Sequence, residues 1–370
     1  MPHTRTVNVA LVGYGYVGKT FHAPLIAATP GLRLATVVSS DPAKVAADHP
    51  DVRVVADLDA ALADPLIELV VIATPNHLHA PQAIAALEAG KHVVVDKPFA
   101  LSAAEARTMA DAADRAGKLL TVFHNRRWDS DFLTLRRLIA EGTLGQIVQY
   151  ESHFDRFRPV VRDRWRERAG PGAGAWMDLG PHLLDQALVL FGEPLAIAAD
   201  IGIQRSGAGA DDYFHVALRY PILRVILHGS LLTAASDPRL AVHGTGGSFV
   251  KHGLDPQEAQ LKAGMIPGAP GYGRDSRHGV LTTVENDLQV HADVSPEPAD
   301  YRAFYAGVRE AIVTGAPSPV PVEQALRVMD LLELARKASD QRREIAAQGT
   351  WDAFFAAPGA DLAPPETRSQ

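Results

Sequence analysis

The most constraining feature of this chain is an alternation that fills its first 125 residues. VNVALVG (7–13), LRLATVVS (32–39), LIELVVIAT (66–74), KHVVVD (91–96) and KLLTVFH (118–124) are short apolar runs that read as strands. Between them, KTFHAPLIAAT, DPAKVAADHP, APQAIAALEAG and SAAEARTMADAADRAG are longer, alanine-rich and amphipathic, and read as helices. Strands apolar along their whole length are buried on both faces, and parallel neighbours need helical crossovers. The pattern therefore predicts an α/β fold whose N-terminal part is a Rossmann-like, doubly wound parallel sheet. Gly90 and Gly117 stand where two of the helices should stop, and Ser102 with Glu105 makes a capping box for the last.

From about residue 126 the texture changes. A helix, SDFLTLRRLIAEG, leads into IVQYESHFDRF, whose alternation suits a strand with one wet face. After a glycine-rich turn and a helix (HLLDQALVLFG) come AIAADIGIQR, DYFHVALRY and LRVILHGSL, which read as strands. Longer loops separate the later segments, and VEQALRVMDLLELARKASDQRR (322–343) closes with an amphipathic helix. Runs of strands predict an α+β domain with a large, mainly antiparallel open sheet. The expected division is 1–125, 126–345 and a C-terminal segment 346–370, whose Pro-rich end, APGADLAPPETRSQ, reads as frayed.

Composition narrows the function classes. At 370 residues the chain is long enough for two domains, and its 47% hydrophobic content needs no covalent staples. A net charge of −7 argues against nucleic acid or an anionic membrane as partner. With no cysteine, thiolate metal sites and cysteine nucleophiles are excluded. MPHTRTVNVALVGYG enters a strand at once and lacks the apolar core of a signal peptide, and no run of about 18 apolar residues follows. The expected location is cytoplasmic.

Gly13, Gly15 and Gly18 form G-x-G-x-x-G directly after a strand and before a helix, with Tyr16 and Val17 inside the turn. In that context the first glycine permits the turn, the second lets backbone approach a pyrophosphate, and the third allows helix and strand to pack closely. The free N–H groups of the helix then face the phosphates. A dinucleotide is the expected ligand. NAD-preferring loops place a carboxylate about 20 residues on, at the end of the second strand. Here that end carries Ser39 and Ser40, while Asp41 caps the helix starting at Pro42. Two hydroxyls with Lys44 nearby suit a 2′-phosphate, so NADP is expected over NAD. Thr74, Pro75, Asn76 and His79 follow the next long strand, where they would line the cofactor channel. His77 and His79, lacking a third partner of suitable spacing, read as loop residues, and no metal is expected there.

HVVVDKPFAL (92–101) sets Asp96, Lys97 and Pro98 at the end of another buried strand, facing the same crevice. A lysine there can hydrogen-bond a substrate hydroxyl and stabilise an oxygen that is losing its proton, and a cis Lys-Pro bond is expected. In GPGAGAWMDLGPHLLDQALVLFG (170–192), Asp178 and His182 stand four apart at the start of a helix, with Asp185 a turn further. That spacing puts both on one helix face if the first turn already forms at Asp178. A histidine accepts protons near neutral pH, and a neighbouring carboxylate orients it.

These stretches together resemble the Gfo/Idh/MocA oxidoreductases: the glycine loop, ATPNHLH, the acid-Lys-Pro strand end and the D-x-x-x-H helix. Within that family, GYGYVGKTFHAPL, VFHNRRWDSDFLTLRRLI, RDRWRER, MDLGPHLLDQALVLFG, DDYFHVALRY and GSFVKHGLDPQEAQLKAG are similar to the NADP-dependent scyllo-inositol 2-dehydrogenases. The resemblance implies a Rossmann domain followed by an α/β domain whose open sheet packs against another subunit, giving a homodimer or homotetramer. It implies that Lys97, Asp178 and His182 occupy the catalytic positions. Asp96 departs from the family's usual Glu, and Ser39 stands where NAD-using relatives carry Asp. The implied activity is interconversion of a secondary alcohol of a polyol or sugar and its ketone. An amine from the front half and an imidazole from the rear half would serve one nicotinamide face. His124, Asn125, Arg126, Arg127, Trp128, Arg162 and Trp165 are the candidate substrate contacts, while Asp212 and His215 read as strand core and rim. Three other readings stay open: an aldose or dihydrodiol dehydrogenase on the same site, a non-catalytic NADP-binding regulator, and an NAD-dependent glycosidase.

Overall fold

The computed structural model describes residues 5–235 and 237–347; the expected tail beyond Ala347 lies outside the described residues. The chain forms two compact units. The first takes the chain up to Trp128 and then Pro256–Gly273 and Ala299–Met329. The second takes Asp129–Asp255, Arg274–Pro298 and the chain from Asp330 on. The first crossing lies three residues beyond the expected one, but the sequence gives no hint that the chain returns twice to its first unit.

The first unit is built on six strands: β1 (Val7–Val12), β2 (Leu32–Val38), β3 (Arg53–Val55), β4 (Leu69–Ile72), β5 (His92–Val95) and β6 (Leu120–Val122). They run parallel in the order β3-β2-β1-β4-β5-β6. Every residue of β4 and of Val93–Val95 is buried, which is why these runs carry no polar residue. Five of the six strands follow the apolar runs; β3, three residues long and only partly buried, does not stand out in the sequence. Val12 pairs with Val38 and Ile72, Ile72 with Val95, and Val95 with Val122, so the strands end level. The expected helix after β1 starts with a π-helical turn (Gly18–His22) that passes directly into Ala23–Ala27. The returning segments add two helices not read from the sequence, Gln257–Lys262 and Arg302–Thr314. The latter sets Phe304 and Tyr305 against Phe123, at 5.0 and 5.9 Å between ring centroids.

The second unit is built on β7 (Ile147–His153), β8 (Ala196–Gly202), β9 (Tyr213–Arg219), β10 (Arg224–Ser230), β11 (Leu240–Gly244), β12 (Gly247–Lys251), β13 (Gly279–Glu285), β14 (Leu288–Val294) and β15 (Ile345–Ala346). The nine-stranded order is β14-β13-β12-β11-β7-β10-β9-β8-β15, antiparallel except between β7 and β10. The predicted mainly antiparallel open sheet is therefore present. Phe214, Val216 and Leu218 of β9 and Val225 and Leu227 of β10 are buried, and Trp176 of the helix Ala175–Phe191 packs on Phe214 at 5.0 Å. The alternate positions, including His153, His215 and His228, remain at least partly exposed. Among the described residues, no helix is long and apolar enough to cross a membrane.

Candidate functional site

In an open parallel sheet the ligand crevice lies beyond the carboxyl ends of the strands, at the point where strand order reverses. In the first unit that point is between β1 and β4. Gly13, Thr74, Asp96 and His124 each follow directly or nearly so on the level ends of β1, β4, β5 and β6.

The glycine loop passes a steric test for a dinucleotide. Gly13 has φ +96°, and a Cβ there would meet the Ala73 carbonyl oxygen at 2.8 Å. A Cβ on Gly18 would lie 2.1 Å from the Gly13 oxygen, so only glycine lets the helix start lie this close to the turn. Gly15 has nothing within 4 Å of its Cβ position. That open shelf, next to first-turn N–H groups that have no helical acceptor, is the concavity a pyrophosphate needs. Tyr16 and Val17 complete this turn, Tyr16 largely exposed.

At the end of β2, Asp41 caps the helix Pro42–Asp48 as expected, accepting from the Lys44 N–H at 3.0 Å. The Ser39 hydroxyl accepts from the Asp41 N–H at 3.1 Å, and Ser40 is exposed. The Lys44 ammonium donates to the Tyr14 carbonyl at 3.0 Å, which sets a positive charge against the glycine loop. After β4, the Thr74 hydroxyl donates to Gln82 at 2.7 Å, and Asn76, which follows Pro75, is buried. His79 lies 3.0 Å from both the Thr74 and the Pro98 carbonyl oxygens and so joins the loops that follow β4 and β5. Burial lowers its pKa, against the pull of Asp96 and the carbonyls.

The Lys97-Pro98 bond is cis, as expected. Lys97 is partly buried, and Asp96 beside it is buried on a network that the sequence does not announce. His22, wholly buried, sets Nε2 3.6 Å from Asp96 and Nδ1 2.6 Å from the Tyr305 hydroxyl. Burial pushes the Asp96 carboxyl up, but the His22 imidazole, then Lys97 and His79, outweigh it and hold the pKa below the ordinary range. The Tyr305 hydroxyl is raised well above its usual value by burial and by Asp96. Asp96 is thus an anion set behind Lys97.

His124, Asn125, Arg126 and Arg127 are all buried. Arg126 pairs with Glu258 at 3.0 Å, Arg127 donates to the Pro319 carbonyl at 3.4 Å, and the Trp128 ring packs on Phe304 at 5.8 Å. Glu258 also accepts from the Tyr16 hydroxyl at 3.1 Å and from Lys262 at 2.7 Å. It ties the glycine loop to Arg126, a role that sequence reasoning missed. The only hint is the i,i+4 acid–base pair Glu258/Lys262 in PQEAQLKAG.

In the second unit, the helix bearing Asp178 and His182 begins at Ala175, seven residues before the apolar run that predicts it. Both residues therefore lie inside it, one turn apart, as the four-residue spacing requires. Its N-terminus is served by Asp211, which accepts from the Trp176 N–H at 2.7 Å, and not by Asp178. His182 and Asp185 are buried, and Asp178 lies 3.6 Å from Arg166. Trp165 is exposed with the Arg166 guanidinium 4.5 Å over its ring, and Arg162 is exposed, its backbone N–H donating to Glu167 at 3.0 Å. Asp212 lies just before β9, not in it, and is buried on Arg205 at 2.8 Å as a structural partner.

Comparison with known proteins covers nearly all of this. Residues 7–124 match the Gfo/Idh/MocA model described as "Oxidoreductase family, NAD-binding Rossmann fold", and residues 136–347 match the model for its "C-terminal alpha/beta domain". The chain is 54% identical over 336 residues to the uncharacterized oxidoreductase YdgJ of Escherichia coli (strain K12), covering 91% of this chain and 97% of that one. It is 40% identical over 342 residues to the scyllo-inositol 2-dehydrogenase (NADP(+)) IolW of Bacillus subtilis (strain 168), covering 92% and 96%. The crystal structure of an oxidoreductase from Bacillus cereus superposes with a TM-score of 0.85 at 32% identity, covering 93% and 99%.

Proposed function

Because this chain belongs to the Gfo/Idh/MocA family of oxidoreductases, with an NAD(P)-binding Rossmann domain, we propose that it interconverts a secondary alcohol of a polyol or sugar, inositol-like in its ring of hydroxyls, and the matching ketone. The observation that carries the reading is the open shelf over Gly15 on the same strand-end edge as Lys97. The similarity to IolW supports the substrate class and the choice of NADP. So does the Lys44 ammonium against the glycine loop, with no carboxylate at Ser39 or Ser40 to repel a 2′-phosphate.

Gly13, Gly15, Tyr16, Val17 and Gly18 would hold the pyrophosphate, Ser39, Ser40 and Lys44 the adenosine ribose end, and Thr74, Pro75, Asn76 and His79 the channel beyond. The bound nicotinamide supplies the hydride acceptor for alcohol oxidation. The chain's own residues handle the proton and the oxygen. His182 takes the hydroxyl proton, Lys97 donates to the same oxygen and stabilises its developing negative charge, and Asp178 orients His182 or a second hydroxyl. Asp96, paired with His22, sets a negative charge beside Lys97. His124, Asn125, Trp128, Arg162 and Trp165, with Arg126 and Arg127 in their fixed settings, supply contacts to the remaining hydroxyls. We further infer a cytoplasmic homodimer or homotetramer formed through the nine-stranded sheet, whose β13–β14 end exposes Val284 and Leu288.

The test is growth of the reduced-nicotinamide absorbance band with NADP or NAD across a panel of inositols and sugars. Lys97→Met and His182→Ala should each lose most of the turnover, about 100-fold or more, and still bind cofactor. Full rates in both variants would remove the mechanism. Ser39→Asp should lower the NADP-to-NAD ratio of kcat/KM about tenfold, or ~1.4 kcal/mol; an unchanged ratio would remove the cofactor assignment.

A further inference from the structure

A second group of side chains converges on the nine-stranded sheet. His153 ends β7, His228 pairs with it in register on β10, and Asp155 follows two residues after His153. His153 Nδ1 lies 3.4 Å from Asp155 Oδ2, and His228 Nε2 lies 3.4 Å from Asp155 Oδ1. One donor atom from each residue falls within 4.8 Å of the other two. The Asp155 side chain is 6% exposed, and its Oδ2 has no hydrogen-bond partner among the described residues; nor has His153 Nδ1. Buried polar atoms are normally partnered, so these two call for something between them.

The spacing is compatible with a metal ion: donors bound to one tetrahedral zinc at about 2.0–2.1 Å stand about 3.4 Å apart. Each histidine stands at that distance from one oxygen of Asp155, which would bridge to the ion through both oxygens. The outer contacts point the same way. The Ser230 N–H donates to Asp155 Oδ1 at 2.9 Å and fixes the carboxylate. Glu151 lies 3.4 Å from His153 Nε2, and a carboxylate behind a histidine is the common outer shell of a bound metal. With two imidazoles in three donors, magnesium and calcium are disfavoured against zinc and its first-row neighbours. His153 and His228 keep 14% and 16% of their side chains exposed, enough for an ion to enter.

We propose that His153, Asp155 and His228 form a site for a divalent transition-metal ion, zinc by preference, on the face of the second unit's sheet that also carries His215. The test uses the full, untagged chain, stripped with chelator and titrated with zinc by calorimetry and with cobalt by visible absorption. The expected result is a single ion per chain, with a cobalt band typical of low coordination number. His228→Ala should weaken binding more than about 100-fold and Glu151→Gln about 10–100-fold, as outer-shell losses do. Asp155→Asn, which keeps an oxygen for the Ser230 N–H, should also lose the ion while its melting transition stays cooperative. Wild type and Asp155→Asn binding zinc equally, or a wild type that takes up none at millimolar metal, would overturn the proposal.

Discussion

The two units hold their functional loops in place by different means. In the parallel-sheet unit the loops are pinned by short-range backbone features: the glycine turn, the Asp41 and Ser102 caps, and His79 between two carbonyls. In the other unit the loop bearing Arg162 and Trp165 hangs on a buried charge network. Arg205 is ion-paired to Asp212 at 2.8 Å and to Glu167 at 3.0 Å, and donates to the Arg158 carbonyl at 2.9 Å. Burial raises the Glu167 carboxyl, but the Arg162 backbone N–H and the Arg164 and Arg205 charges bring it below its ordinary value. Such local pinning tolerates change in most side chains but not at the glycines, the two caps or His79. Charge pinning fails when one member of the network is lost.

The largest effect should come from breaking the charge network. Asp212 accepts from the Gln204 and Arg205 N–H groups and from the Arg205 guanidinium, and it is almost wholly buried. Asp212→Asn leaves Arg205 with Glu167 alone, and breaking one buried pair costs about 3–5 kcal/mol. With Glu167 still present, denaturant unfolding should give a loss near the lower bound. Limited proteolysis should cut first within 156–168. A loss below about 1 kcal/mol would mean that backbone contacts hold this loop after all, erasing the contrast.

The glycine loop gives the next effect and separates packing from binding. Gly18→Ala drives a Cβ into the Gly13 carbonyl and should lower stability by about 1–3 kcal/mol and abolish cofactor binding. Gly15→Ala meets nothing in the protein, so its stability should stay within about 0.5 kcal/mol. Its cofactor affinity should nevertheless fall about tenfold or more, because the methyl group occupies the shelf. Equal affinity in wild type and Gly15→Ala, read by fluorescence titration, would place the pyrophosphate elsewhere.

The same contrast explains what the sequence makes legible. Gly13, Gly15 and Gly18, the strand-end Lys97 and the cis bond all rest on neighbours within a few residues, and local pattern finds them. The Asp178 helix was half legible. The apolar run marks it only from His182, yet Pro181 falls within its first two turns, and Gly180 is there because the Trp176 ring lies 2.6 Å from where its Cβ would be. The network behind Asp96 was not legible, because Tyr305 arrives from a helix more than 200 residues away, in a segment that reads as loops. Glu258 on Tyr16 and Arg205 on Glu167 escape for the same reason. Strands β11 to β14 also went unread, since β14 is exposed at all but its last residue and carries no buried alternation.

The smallest effect concerns acid stability at the opposite end of the parallel sheet from the ligand crevice. His92 begins β5, and its Nδ1 accepts from the Leu119 N–H at 3.0 Å. Burial, then the Lys118 charge, with Arg5 adding to them against Glu68, lowers its pKa to about 4. The unfolded chain takes up this proton near pH ~6.5, so between there and about 4 the unfolded state binds more protons. Stability from this residue is therefore complete above about pH 6.5 and declines as pH falls towards 4. Asp96 also has a lowered pKa, but as a carboxyl it gives up its contribution only below the ordinary carboxylate range, so the two windows do not overlap. His92→Asn keeps an oxygen for the Leu119 N–H and removes the titration. It should match wild type at pH ~8 and exceed it at pH ~5 by about 1 kcal/mol or less, since the ring is partly exposed. Melting curves at both pH values decide it. Parallel curves would mean that His92 does not carry the acid weakness between these two pH values.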